Sequence, residues 1–255
     1  MVIARVKKHK HWIVLGGIAS VAYFCWRRSR SSYRHRFTDL TDALVWSQNP
    51  RLCVYNWGFA VFGGRKHEVF RRYVIELAEL CGNEDVLDAG CGTGLTMLRI
   101  AERYPTCRVY GIDLSPKMIE VARNDAAEHG LDVDLRTGSI TNLPYSGATF
   151  DVVLTNIMFH HLDPDEKRQA VAEIARVLRP GGRYVSAEFG ARARNPMERH
   201  LAKGEYTLYP SHLSEAGLSI RHEELRPFAW GLEVTYRVAI KPGEVLPNTD
   251  EEGQS

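Results

Sequence analysis

Cysteine is scarce in this 255-residue chain, acidic residues are missing from its first thirty-eight positions, and no stretch reaches eighteen consecutive apolar residues. Each shortage excludes something. The five cysteines (Cys25, Cys53, Cys81, Cys91, Cys107) are odd in number and contain no C-x-x-C pair, so neither a zinc site of that kind nor a complete disulfide framework is indicated, and a reducing compartment suits the globular part. No internal repeat or low-complexity block appears, and 44% hydrophobic with 25% charged residues is ordinary globular composition. The net charge of +2 hides a division. Nine of the 33 Lys and Arg residues lie in residues 1–38, which leaves 24 against all 31 acids, a net −7 over residues 39–255. That acidic, interspersed surface has no concentrated basic face with which to displace counterions from a duplex, so no nucleic-acid partner is expected.

Within the basic leader, Trp12 to Trp26 runs fifteen residues without a charge, between Lys7, Lys8, Lys10 and Arg27, Arg28, Arg30. As a helix it would span roughly 22 Å, short of the ~30 Å hydrocarbon core. A tryptophan at each end with cations just outside is the arrangement of a segment that meets membrane interfaces. The expectation is an uncleaved single-pass or interfacial anchor, with an organelle presequence, mitochondrial in that case, and a core helix as the alternatives. The two basic flanks are nearly equal and set no orientation. Residues 39–65, rich in aromatics such as Trp46, Tyr55 and Trp57, are expected to form cap helices over a site or a sheet edge. Residues 66–242 then form the main domain, and residues 243–255 a disordered polar tail.

From Asp85 onward, short β-rich runs alternate with amphipathic stretches, which predicts a doubly wound, mostly parallel seven-stranded α/β sheet. The strand runs are Val86 to Asp88, Arg108 to Ile112, Val133 to Arg136, Asp151 to Thr155 and Arg183 to Phe189, and Leu218 to Leu225 with Glu233 to Ile240 form an antiparallel C-terminal pair. Helical spacing marks Thr96 to Arg103, Pro116 to His129 and Asp165 to Leu178, the last expected to stop at Pro180-Gly181-Gly182. Ahead of them Lys66 to Leu80 reads as a helix with Val69, Phe70, Tyr73, Val74, Leu77 and Leu80 inward and Arg71, Arg72 and Glu76 outward.

Val86-Leu87-Asp88-Ala89-Gly90-Cys91-Gly92-Thr93-Gly94 is a strand entering a glycine-rich turn that opens a helix, a place where backbone can approach a ligand closely. A nucleotide-like cofactor is implied. The dinucleotide fingerprint G-x-G-x-x-G would need glycine where the chain has Leu95, so the fit to a pyrophosphate binder is poor.

With four further blocks in order, Gly111 to Met118, Leu143-Pro144-Tyr145, Phe150 to Val153 and Arg176 to Gly182, the loop resembles the class I S-adenosylmethionine-dependent methyltransferases, in the branch that includes ubiquinone/menaquinone and phospholipid methyltransferases. The resemblance covers roughly residues 66–190. It implies S-adenosyl-L-methionine as cofactor, held by the loop glycines Gly90, Gly92 and Gly94, by Asp88 and Gly90 at its methionine part with the backbone around Asn156, by Asp113 on the ribose hydroxyls, and by Leu114 and Ile140 beside the adenine. Ser139 departs from the acid that relatives carry to hold the adenine amino group; the hydroxyl can still accept a hydrogen bond there. Methyl transfer from a sulfonium needs alignment more than a protein nucleophile. His160 and His161, just past the fourth strand, are the candidate base, with Tyr55, Tyr145 and Glu188 as weaker pocket candidates. No metal is expected. The acceptor is expected to be hydrophobic or membrane-resident, a lipid amine or a quinone precursor; a soluble metabolite, or a cofactor-binding assembly protein without turnover, are the alternatives. Oligomeric state has no signature in these residues.

Overall fold

A computed structural model describes residues 64–189, 209–228 and 233–243. The expected anchor of residues 12–26, the cap of residues 39–65 apart from its last two positions, Tyr55, the stretch 190–208 and the tail lie outside them. The chain divides after Arg65, and the elements described belong to the second unit apart from the first two residues of α1.

The elements run α1 (Gly64–Leu77), β1 (Asp85–Ala89), α2 (Leu95–Arg103), β2 (Arg108–Asp113), α3 (Pro116–Glu128), β3 (Val133–Thr137), β4 (Phe150–Asn156), a 3-10 turn (Phe159–His161), α4 (Pro164–Val177), β5 (Leu178–Phe189), α5 (Tyr209–Glu215), β6 (Ser219–Pro227) and β7 (Glu233–Ile240). The seven strands lie in the order β3-β2-β1-β4-β5-β7-β6. β3 to β5 pair in parallel, while β7 runs antiparallel to both β5 and β6. In the central strands the buried residues are continuous rather than alternating, as they must be when helices cover both faces. The order reverses beside β1, whose neighbours are β2 and β4, and ligands of open α/β sheets bind at the carboxyl end of such a switch point.

Local chemistry sets the boundaries. Ser115 caps α3 by accepting from the Met118 amide, with Pro116 in the first turn. α4 starts in a reciprocal box, where Asp163 accepts from the Glu166 amide at 2.8 Å and Glu166 accepts from the Asp163 amide at 2.9 Å. Its far end is held by Lys241 Nζ, which donates to the carbonyls of Ala175 and Leu178. The expected stop at Pro180-Gly181-Gly182 is therefore corrected: α4 ends at Val177 and those residues bulge out of β5, whose pairing with β4 jumps from Phe150↔Leu178 to Val152↔Arg183. The expected inward stripe of α1 is corrected too. The helix ends at Leu77, Val69 is 50% exposed, and the buried side chains are Phe70, Val74 and Ile75, followed by Ala78 just past the helix. Phe70 and Tyr73 reach the Tyr236 ring on β7, which leaves Val69 turned away.

Two faces can be told apart by strand alternation. Leu87, Ala89, Val153, Tyr184 and Ala239 share a core with Ala170, Val171 and Ile174 of α4 and with Leu213 of α5. Asp88, one residue out of step with Leu87, and Asn156, out of step with Val153, belong to the opposite face. Glu188, in step with Tyr184, belongs to the α4 face.

At the amino-terminal edge of the sheet buried charges are paired. Asp85 accepts both prongs of the Arg108 guanidinium and also Arg179 at 2.8 Å, and Arg179 reaches across to Asp151. The Arg108 guanidinium holds the Asp85 carboxyl below the usual range against the opposing effect of burial. Burial pushes Glu84 up, but hydrogen bonds from the Cys81 and Gly82 amides and from the Cys107 thiol outweigh it and hold the group at about 2.

Candidate active site

At the carboxyl-terminal edge, the turn after β1 is bent by three glycines in the left-handed region, Gly90 at φ 77°, Gly92 at 56° and Gly94 at 78°. Gly90 also needs its missing side chain, because a Cβ there would come within 3.1 Å of Met158. The turn is tied to the end of β2. The amides of Gly90 and Cys91 donate to the Ile112 carbonyl, and the Gly92 amide donates to Asp113 Oδ2 at 2.9 Å. Asp113 Oδ1 accepts from the Ser115 amide at 2.9 Å, so one half-buried carboxylate joins the turns after β1 and β2 while each oxygen keeps a lone pair for another donor.

Leu114, next in sequence, is 75% exposed although large and apolar. Ile140 is 6% exposed, packed in the core with Ile112 and Leu143, so of the two residues expected beside a purine only Leu114 presents an open face. Ser139 is occupied locally: its hydroxyl pairs with Thr141 Oγ1 at 2.8 Å and accepts from the Thr141 amide at 3.2 Å.

Asp88 is 2% exposed, and its side-chain partner is Asn156 Nδ2 at 3.4 Å. Burial pushes its carboxyl up to about 7, the Asn156 bond opposes this, and the nearby Asp113 charge adds to it. Asn156 Oδ1 is buried with no partner. Burial, together with the Asp88 and Asp113 charges, also pushes the Cys91 thiol up, which makes it an inert neighbour rather than a nucleophile.

Past β4, Ile157 takes φ 50° and a single 3-10 turn carries His160 and His161, whose rings lie 3.9 Å apart. Burial lowers His160 to about 3, with His161 and Lys167 pushing the same way, and its Nδ1 is buried without a partner. His161 is the more open of the two; desolvation lowers it against the pull of Asp113. The turn is anchored from β5, where Glu188 Oε1 accepts the amides of Met158 at 3.1 Å and Phe159 at 3.3 Å. Burial pushes Glu188 up to about 7 against those two amides and the charges of Arg237 and Lys167. Tyr145, a weaker candidate at the sequence level, packs edge-on against Tyr110 and Phe150 in the core. The expected site residues on β1, β2 and β4 thus converge on one edge, while Ile140 and Ser139 are absorbed by packing and a turn. What the sequence pattern missed is that Glu188 and Met158 are built into the same loop; the one available signal was a lone acid in the apolar run Val185 to Phe189. Among the described residues no cluster of His, Cys, Asp and Glu could hold a metal ion.

S-adenosyl-L-methionine offers an ammonium with three donors, a ribose diol and a flat purine. The structure presents matching acceptors: an underused Asp88 with the partnerless Asn156 Oδ1, the spare lone pairs of Asp113, and the open face of Leu114. The residues fit the group.

A family described as "Methyltransferase domain" matches residues 86–182. A 27-O-demethylrifamycin SV methyltransferase of Amycolatopsis mediterranei is 34% identical over 71% of this chain and 70% of that protein. A demethylmenaquinone methyltransferase of Thermus thermophilus is 37% identical over 47% of this chain and 54% of that one, and the chain spans about half the length of several of the curated relatives it matches. In fold the chain is similar to a geranyl diphosphate C-methyltransferase of Streptomyces coelicolor solved with S-adenosyl-L-homocysteine, at a TM-score of 0.61 and 17% identity over 76% of this chain and 86% of that one. With 34% identity across 70% of a curated methyltransferase, the chain belongs to the S-adenosyl-L-methionine-dependent methyltransferases.

Proposed function

We propose that this enzyme methylates a hydrophobic or membrane-resident acceptor, a lipid amine or a quinone precursor. The observation that carries the proposal is the recurrence of demethylmenaquinone methyltransferases among the relatives, at 37% and 38% identity over 47% and 41% of this chain. The uncharged stretch Trp12 to Trp26 between two basic clusters supports it, because membrane attachment through residues 12–26 would concentrate such an acceptor near the site without touching it. Among the described residues no helix is long and apolar enough to cross a membrane.

In this proposal Asp88, Gly90 and Asn156 hold the methionine end of the cofactor, Asp113 the ribose, and Leu114 a face of the adenine, with Gly92 and Gly94 shaping the turn. When bound, the cofactor supplies a methyl group on a cationic sulfur. The chain's own part is to align the acceptor, keep water out and receive a proton. His160 is a poor choice for that last task, since burial holds it at about 3 and so weak a base has little affinity for the acceptor's proton. His161 stays available to orient the acceptor.

A second reading, O-methylation of a soluble small molecule, is favoured by the 34% identity to the rifamycin enzyme. Incubation with methyl-labelled cofactor and either a total lipid extract or a soluble metabolite extract separates the two. Label in the lipid extract, with the full-length protein kept in the pellet after salt and carbonate washing, is the expected result; label in the soluble extract alone favours the second.

A further inference from the structure

We propose that Glu188 is the group that takes the proton of the methyl acceptor, so that the acceptor carries an O–H or N–H at or conjugated to the atom that is methylated. The inference rests on the reading of this edge as the transfer site, and deepens it by naming the acceptor's chemistry.

Glu188 stands at the carboxyl end of β5, one strand from Asn156 at the end of β4, and is 3% exposed. Its two oxygens are used differently. Oε1 accepts the amides of Met158 and Phe159, which fixes the side chain from below the loop. Oε2 is buried and, among the described residues, has no hydrogen-bond partner. A carboxylate oxygen left so gives up its hydration without a replacement, and native structures leave such atoms chiefly where something else completes them. His160 Nδ1, on the turn that Glu188 anchors, is buried without a partner in the same way. The bare carboxylate oxygen, with an unpartnered ring nitrogen on the turn it anchors, matches a ligand that brings a donor. The charged groups facing Glu188 are Lys167 from α4 and Arg237 from β7, the latter already bound to Glu223 at 2.5 Å, while neutral His160 lies on the loop itself. They soften the burial cost without neutralising it, and the carboxyl titrates at about 7, the range in which a general base is most useful.

The step balances. With the cofactor bound, the acceptor's proton would pass to Glu188 Oε2, the pair it leaves would form the bond to the methyl carbon, and the pair of the broken carbon–sulfur bond would remain on sulfur, giving a neutral thioether. The carboxylic acid returns its proton to water after product leaves.

The test compares Glu188→Gln with Glu188→Ala and wild type in the full chain. Glutamine keeps an oxygen for the two amides and removes the base; alanine removes both. For Glu188→Gln we expect the thermal midpoint to stay within about 4 °C, S-adenosylhomocysteine affinity by calorimetry to change less than about threefold, and methyl transfer to fall by about 100-fold or more, with the inflection near pH 7 gone from the rate profile. Glu188→Ala should also lose stability. Transfer is measured on whichever extract the wild type labels, so that a soluble acceptor would overturn the membrane proposal and leave this one standing. A second readout needs no turnover: with ¹³C-labelled glutamate, wild type should show a protonated-carboxyl infrared band that fades as pH rises through about 7 and is absent from Glu188→Gln. Transfer by Glu188→Gln within about threefold of wild type, absence of that band at pH 5.5, or a labelled product with no O–H or N–H in its precursor would each overturn the proposal.

Discussion

At the amino-terminal edge of the sheet, Asp85 meets two guanidiniums, Asp151 meets one of them, and Glu84 takes amides and a thiol. At the carboxyl-terminal edge, equally buried, Asp88 meets no cation, only the Asn156 amide at 3.4 Å and the Met97 backbone, and Glu188 keeps one oxygen bare among the described residues. The same physics moves the two sets in opposite directions: Glu84 sits at about 2, Asp88 and Glu188 at about 7. Acids paired with cations hold strands together; those without one cost stability, and here they lie at the edge proposed to receive the cofactor and acceptor.

The largest effect should come from Asp113, the residue proposed to hold the ribose. Asp113→Ala is expected to weaken S-adenosylhomocysteine binding about 100-fold, near 3 kcal/mol, measured by calorimetry; a change below about threefold would place the ribose elsewhere. Next, Asp85→Asn should lower stability by about 2–3 kcal/mol at pH 7, because the Arg108 and Arg179 bonds lose their charge. Asp85 and Glu84 are lowered in the folded state, so their contribution is present above the unfolded value near 4 and vanishes as pH falls toward 2. The variant's acid unfolding should therefore begin at higher pH than the wild type's. Acid midpoints that coincide would break the contrast.

Asp88→Asn should act in the other direction. The unfolded carboxyl releases its proton near pH 4 and the folded one near 7, so stability falls as pH climbs through that window and stays reduced above it. Without ligand the variant should melt about 2–6 °C higher than wild type at pH 8 and within about 1 °C of it at pH 4.5, by calorimetric scanning. A lower midpoint at pH 8 would show that Asp88 is satisfied after all. Smallest is Arg168→Ala, which breaks exposed pairs with Asp165 and Glu215 and should cost under about 0.5 kcal/mol.

Much of this architecture was legible from local pattern. Glycines, strand runs and helix starts are properties of neighbouring residues, so the loop after β1, the Ser115 cap and the C-terminal strand pair stand where periodicity and turn chemistry put them. The inward face of α1 was not legible, because six apolar positions compete for a few seats and Tyr236, far along the chain, decides between Val69 and Phe70. Nor could Pro180-Gly181-Gly182 reveal a bulge, since a proline with two glycines forbids a helix without choosing the backbone that replaces it. The pairing of Arg179 with Asp85, 94 residues earlier, has no local signature, and the bare oxygen of Glu188 is a property of what surrounds it.

Asp113 spends one oxygen on the turn after β1 and the other on the turn after β2. The two lips on that side thus share one carboxylate, beside the Gly90 and Cys91 amides that hold the first lip to the Ile112 carbonyl, so a substitution at Asp113 slackens both lips at once without cutting either loose.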